Sequence, residues 1–307
     1  MKLPRPLVRL PMTFDAEALA REVASLPPSA WQPHPDKLPG NEAVLLVTPE
    51  GRDTNAVAGP MAPTPHLLAS DYMMAIMSSI GAVWGRSRLM RLAPGAVVPP
   101  HVDVNYYWRT HLRLHIPIAT TPDVLFTCGD ETVHMKAGEC WVFDTWKPHH
   151  VLNGGPSTRV HLVLDTVGGE QLWELIESAR DPERAPRRLE PGSGSAGPLR
   201  FEQVNSPGLM SPWEVKSHVA LIAAEAEPGP LVDAVVKRLG RFEAGWEAAW
   251  AQYGPSQAGL GEYRRLLIEV QMDLDGLGGG KLRLRNGVSL YRQLALLIFN
   301  VALPAGQ

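Results

Sequence analysis

Short apolar runs broken by turns fill the stretch from Arg88 to Asp165, and this pattern predicts strands. "RLMRLA" stops at Pro94-Gly95, "HLRLHIPI" near Thr121-Pro122, and "DVLFTC" at Gly129-Asp130. "ECWVFD" follows Gly138, and "RVHLVLD" follows "NGGPST". Strands this short and closely spaced imply a β-barrel or sandwich rather than alternating βαβ units. Upstream, "EAVLLVT" (42–48) reads as a further strand. "HLLASDYMMAIMSSIGAVW" (66–84) is too long and too rich in Met and Ala for a strand, and reads as a helix.

The periodicity then changes. "EQLWELIESAR" (170–180) is helical and runs into "DPERAPRRLEPGSGSAGP" (181–198), which has the composition of a linker. Further on, Leu231, Val235, Leu239, Phe242, Trp246 and Trp250 recur at steps of three and four, an apolar helix stripe. "GEYRRLLIEVQMDLDGL" and "SLYRQLALLIFNVAL" read as two more helices. The expected organisation is a mainly β domain over 1–180, a linker over 181–200, and an all-α domain over 201–307.

Composition narrows the function classes. The chain has 307 residues, 45% of them hydrophobic and 20% charged, as in an ordinary globular protein. A formal net charge of −3 excludes the strong basic excess of a general nucleic-acid binder. No run of eighteen apolar residues predicts a membrane span, and the N-terminal stretch lacks the apolar core of a signal peptide. The two cysteines, Cys128 and Cys140, fit a reducing compartment, so a cytoplasmic location is expected. "LGGGKLRL" does not make a phosphate loop, because Asp275 and Leu282 stand where that motif needs Gly and Ser or Thr.

Seven of the ten histidines lie between His101 and His161. In a strand, residues i and i+2 share a face, so His101 and Asp103 reach the same way. Two imidazoles and one carboxylate on one face of an octahedral Fe(II) leave three positions open, the arrangement of non-haem iron oxygenases. The second histidine must come from a later strand, and His149 and His150 both qualify; as neighbours in an extended segment, only one can point inward. Arg159, ten residues beyond His149, suits the distal carboxylate of a bound dicarboxylate, because its fork matches two oxygens. The lesser reading is a buried structural arginine paired with Asp165 or Asp144. Arg159, His161, Val163 and Asp165 share one strand face, as do His111, Arg113 and His115.

"RLMRLAPGAVVPPHVD", "RLHIPI", "GECWVFDTWKPHHVLN" and "RVHLVLD" resemble the aspartyl/asparaginyl β-hydroxylase-type branch of the 2-oxoglutarate/Fe(II)-dependent dioxygenases, which includes proline cis-hydroxylases. The resemblance covers roughly residues 85 to 168, and more loosely the 84 residues before them. It implies a double-stranded β-helix (a cupin-like jelly-roll with flanking helices) around the iron. It also implies His101, Asp103 and His149 as metal ligands, and Arg159 on the far carboxylate of 2-oxoglutarate. Arg113 matches a family arginine near a carboxylate of the co-substrate or substrate, and a core ion pair is the other reading. The implied cofactors are Fe(II), 2-oxoglutarate and O2, with succinate and CO2 as co-products.

The remaining candidates carry less pattern. His115 and His161 read as groups that support the metal-bound imidazoles; His111 reads as core, and His134 as a solvated hairpin residue. Tyr106, Trp108 and Arg109 follow the metal motif and could shape a substrate pocket; Trp31 and Asn41 are substrate candidates without a motif. His34, His66 and His218 read as ordinary. The expected function is hydroxylation of a C–H of an amino acid or small peptide-like substrate. The alternatives are β-hydroxylation of Asp or Asn side chains in a protein or peptide, a cupin-like metalloenzyme independent of 2-oxoglutarate, and a catalytically silent binding module. A homodimer through the helical domain is a further expectation.

Overall fold

Alternating positions become strand after strand in a computed structural model that describes residues 3, 5–181, 183–193 and 197–304. The first strands are β1 (Leu7–Phe14), β2 (Gln32–Pro33), β3 (Asn41–Pro49), β4 (Met61–Pro63) and β5 (Val83–Leu92). Next come β6 (Val97–His101), β7 (Leu112–Ala119), β8 (Val124–Cys128), β9 (Glu131–Val133) and β10 (Glu139–Phe143). The last are β11 (His149–Asn153), β12 (Arg159–Gly168), β13 (Arg187–Leu189) and β14 (Arg200–Phe201).

They form two sheets, neither closed on itself. The larger runs β13-β1-β10-β7-β12-β5-β3-β2, with β4 on β3 and β14 on β5; the smaller runs β6-β11-β8-β9. Leu7, Leu92 and Phe143 of the larger sheet pack with Phe126, Cys128 and Val151 of the smaller in one buried cluster. Each large apolar side chain sealed there contributes about 1.5–3 kcal/mol. A β-rich N-terminal region and a helical C-terminal region are thus present, as the periodicities predict.

Register decides what faces this interior. Opposed residues of an antiparallel pair point to the same side. Leu92 opposes Arg159, Met90 opposes His161 and Arg88 opposes Val163 across β5 and β12. Val163 opposes His115 and Asp165 opposes Arg113 across β12 and β7, and Phe143 opposes Arg113 across β10. One face of the sheet therefore carries Arg88, Arg113, His115, Arg159, His161 and Asp165, with the core residue Phe143 beside them.

Four helices border the strands: α1 (Ala16–Ser25), α2 (Pro65–Leu68), α3 (Asp71–Ile80) and α4 (Glu170–Ser178). Asp15 caps α1 by accepting from the Ala18 N–H at 2.8 Å. The single helix expected over 66–84 is two helices and the start of a strand. Ser70 leaves the helical region at φ −124°, ψ 77°. Gly81 then ends α3 in the left-handed region at φ +70°. From Val83 the chain extends, and Trp84 is buried as a strand residue.

Residues 1–103 and 110–205 form one unit, and residues 104–109 and 206–307 a second. Within the first, the stretch read as a linker supplies β13, parallel to β1, and ends at β14, parallel to β5. The second holds α5 (Pro212–Glu225), α6 (Pro230–Tyr253), α7 (Leu260–Gly276) and α8 (Leu290–Leu294), the last continuing as a π-helical turn Ala295–Phe299. The buried stripe of α6 is Val232, Val235, Leu239, Phe242, Trp246 and Ala249, close to the predicted one but shifted at both ends. Trp246 anchors the unit: its ring meets Phe242 and Tyr263, and its Nε1–H donates to the Met210 carbonyl at 2.9 Å. Among the described residues, no helix is long and apolar enough to cross a membrane.

Candidate metal centre

Antiparallel pairing of β6 with β11 sets His149 opposite His101. Their ring centroids stand 4.2 Å apart. Asp103 follows two residues beyond His101, and its backbone N–H donates to the Thr145 carbonyl at 3.0 Å. One ligand atom from each of His101, Asp103 and His149 then lies within 4.8 Å of the others.

The two rings are oriented alike by the backbone. Nδ1–H of His101 donates to the Pro99 carbonyl at 2.8 Å, and Nδ1–H of His149 to the Lys147 carbonyl at 2.9 Å. A carbonyl only accepts, so both rings carry their proton on Nδ1 and keep the Nε2 lone pair for a metal. His149 is buried, and its Nε2 has no hydrogen-bond partner; Asp103 Oδ2 lies 3.8 Å away. Such an orphaned buried nitrogen is costly unless a ligand completes it, and two imidazoles with a carboxylate suit Fe(II). Burial pushes the His149 pKa down to about 4, against the opposing pull of Asp103, so the ring is neutral at ordinary pH. His150, next along β11, is half-buried and outside the group.

Arg113 stands behind Asp103. Its Nε donates to Asp165 Oδ1 at 2.8 Å and its Nη2 to Asp165 Oδ2 at 3.3 Å, while its Nη1 reaches Asp103 Oδ2 at 3.2 Å. Arg86 adds a further contact to Asp165 at 3.6 Å. Burial alone would raise the Asp165 pKa, but Arg113 and Arg86 outweigh it and hold the carboxyl below its usual value. The core ion pair thus exists, and the same guanidinium also grips a member of the metal group.

Arg159 is buried at the start of β12 and pairs with neither Asp165 nor Asp144. Its Nη2 donates to His161 Nδ1 at 2.6 Å and lies 3.4 Å from His115 Nδ1, while its Nε has no partner. No carboxylate among the described residues makes an ion pair with it. Burial lowers its pKa to about 9, and lowers those of His115 and His161 as well, so both imidazoles are neutral beside the guanidinium. These two histidines thus contact Arg159, whereas the rings of His101 and His149 are oriented by carbonyls.

Tyr106, Trp108 and Arg109 fall in the second unit. The Tyr106 hydroxyl donates to Glu214 and its ring meets His218 edge-on at 5.8 Å, while Arg109 donates to Ser217 Oγ at 3.1 Å. Trp108 is buried beside Tyr107, with ring centroids 5.0 Å apart. In the first unit, Trp31 carries the Arg91 guanidinium 4.4 Å above its ring, and Asn41 is buried at the start of β3. His111 is a core residue paired with Glu202 at 3.0 Å. His134 is not a solvated residue; it is half-buried, and its Nδ1–H donates to the Val124 carbonyl at 3.2 Å. Sequence reading passed over Arg88 and Arg86. The alternation in "GRSRLMRL" sets Arg88, Met90 and Leu92 on one face and could have found Arg88.

A two-histidine, one-carboxylate group at the rim of paired β-sheets defines a class, that of candidate mononuclear metal centres with open coordination positions. Within it, residues 43–168 match the family model described as aspartyl/asparaginyl beta-hydroxylase, which bears out the resemblance read from the motifs. L-proline cis-4-hydroxylase of Rhizobium meliloti (strain 1021) is 32% identical over 79 residues, 26% of this chain and 28% of that protein. L-proline cis-3-hydroxylase 1 of a Streptomyces species is 31% identical over 117 residues, 34% of this chain and 38% of that protein. The chain thus spans 28% and 38% of the length of these curated relatives. A solved prolyl-4-hydroxylase of Pseudomonas putida superposes with a TM-score of 0.37 at 16% identity, over 53% of this chain and 93% of that one.

Proposed function

We propose that this chain is an Fe(II)- and 2-oxoglutarate-dependent dioxygenase hydroxylating a C–H of an amino acid or small peptide-like substrate. The observation that carries the reading is Arg159, a buried cation without a carboxylate partner, ten residues beyond a buried imidazole whose Nε2 is unpartnered. The matches to proline hydroxylases support it.

His101, Asp103 and His149 would hold Fe(II) on one face. Arg159 would receive the far carboxylate of 2-oxoglutarate through its fork. Neutral His115 and His161 pack around that guanidinium without adding charge, and Arg113 orients Asp103. Iron and co-substrate, when bound, would supply the oxidation, with one oxygen of O2 going to the product hydroxyl, the other to succinate, and CO2 released. The protein's own contribution is orientation and exclusion of water. The same reading takes the two facing sheets as a cupin-like double-stranded β-helix. The two free, buried cysteines support the reducing cytoplasm expected from the sequence.

Anaerobic visible absorption tests the reading directly. Fe(II) followed by 2-oxoglutarate, added to metal-free protein, gives a weak charge-transfer band, and amino acids then stimulate succinate release. Bound iron without the band overturns the 2-oxoglutarate reading in favour of a metalloenzyme that does not use it.

A further inference from the structure

Over its first half, β1 is an edge strand. β10 pairs with it from Leu7 onward, whereas β13 reaches it only at Met12–Phe14. The Asp144 N–H donates to the Pro6 carbonyl at 3.0 Å, which makes these two a hydrogen-bonded pair of the antiparallel ladder. Counting on by twos, Val8 and Leu10 turn their backbone groups to β10, and Leu7 and Arg9 turn theirs away. Pro11, which has no N–H, falls on the outward side, where a strand tolerates proline. Among the described residues the outward N–H and C=O groups of Leu7 and Arg9 have no backbone partner. Leu7 to Pro11 covers about 14 Å at strand rise, the reach of four or five extended residues.

A groove of about 620 Å³ is lined by this edge, and all of it lies in the first unit. Trp141, which opposes Arg9, and Ile176 of α4 give it apolar surface. Its charged lining is mainly basic: Arg5, Arg9, Arg180 and Arg184. Arg5 meets Glu131 at 3.5 Å, and Arg9 meets Glu139 at 3.0 Å. The Arg5 side chain is 70% exposed, so its pair is weakly held and free to exchange. Arg180 and Arg184 make no ion pair among the described residues, and Asp181 is the one other carboxylate of the lining. An open strand edge selects an extended backbone, and these guanidinium groups select acidic side chains on it. They also disfavour a second copy, since β1 set against another β1 would line up arginines along one seam.

We propose that the β1 edge binds an extended acidic peptide segment of a partner protein, which adds a strand to the large sheet. Its backbone pairs with Leu7 and Arg9, its carboxylates meet Arg180 and Arg184, and its apolar side chains lie on Trp141. No member of the metal group lines the groove, so the proposal stands apart from the hydroxylase reading.

The test titrates the full chain into a fluorescein-labelled Glu-Val-Glu-Val-Glu amide and follows polarisation. The controls are the same peptide with Lys for Glu, and with alternate backbone amides N-methylated to block strand pairing. The acidic peptide binds saturably, and neither control does. At saturation, amide hydrogen exchange slows at Leu7 and Arg9, whose N–H groups face outward, and stays as it was at Val8 and Leu10. In the double variant Arg180→Gln, Arg184→Gln, Kd rises about 3- to 10-fold, with the melting temperature unchanged. No saturable binding up to roughly 1 mM peptide overturns the proposal. Equal binding of either control overturns it too, as does an unchanged Kd in the double variant or unchanged exchange at Leu7 and Arg9. Exchange at these two amides that slows with protein concentration alone assigns the edge to a second copy instead.

Discussion

Asp165 on β12 and Arg113 on β7 stand opposite each other in the sheet and share two hydrogen bonds, and Arg113 extends the link to Asp103. The chain Asp165–Arg113–Asp103 ties the middle of the large sheet to the metal group. Removing the carboxylate takes from Arg113 and Arg86 the negative charge they share in a buried setting. Asp165→Asn is expected to cost about 3–5 kcal/mol in urea unfolding. Fe(II) affinity should also fall by about 10-fold through the loss of orientation at Asp103. An unchanged unfolding midpoint would show that the pair contributes nothing net.

The neighbouring histidines of β11 should behave oppositely. His149→Ala removes a buried nitrogen from the metal group, and stoichiometric Fe(II) binding should be lost. His150→Ala changes a half-buried side chain outside that group, and binding should stay within about 2-fold of wild type, in keeping with the small effect of most such changes. Metal titration with a competing chelator distinguishes the two, and equal losses would count against the inward assignment of His149.

Arg159→Gln keeps hydrogen-bonding capacity and removes the charge. The KM for 2-oxoglutarate should rise by about 100-fold with Fe(II) affinity unchanged, the signature of a lost charge-assisted pair. Parallel loss of both would assign Arg159 to the fold instead.

Acid should destabilise the metal-free protein well above the carboxylate range. Burial lowers the pKa of His149 and His218 to about 4, and also lowers those of His115 and His161, from an unfolded value near 6.5. Between these values the unfolded chain binds protons that the folded one does not, so stability falls as pH drops from 6.5 toward 4. Each pH unit costs up to about 1.4 kcal/mol per such group. Asp165, with its lowered pKa, adds a loss only below its unfolded value of 3.8. Melting temperature measured in chelator should therefore decline steadily from pH 7 to pH 4.5; a flat profile would contradict the neutral burial of these rings.

Much of the site can be read in the chain because strands alternate. The two-residue step from His101 to Asp103 and the shared face of Arg159, His161 and Asp165 need no tertiary knowledge. What Arg113 does is different, since its partner Asp165 is 52 residues away and only strand register brings them together. The break at Ser70 was hidden because Met73, Ile76, Met77 and Ile80 continue a helical rhythm past it. Arg88 shares the face of Met90 and Leu92 by alternation alone, but that β3 and β12 flank it and bury it is set by strand register, which the sequence does not spell out.

Segment 104–109 begins immediately after Asp103, yet it belongs with residues 206–307. The buried Gln293 Nε2 donates to the Val104 carbonyl at 2.6 Å, Tyr106 bonds Glu214, and Arg109 bonds Ser217. The helical half is therefore interleaved with the candidate metal group in sequence, not appended to the end of it. A chain shortened after Asn205 would leave the residues next to Asp103 stripped of these anchors. Shortening the protein to its β-rich half is thus an operation on the metal loop itself, and the helices and that loop are inherited as one piece.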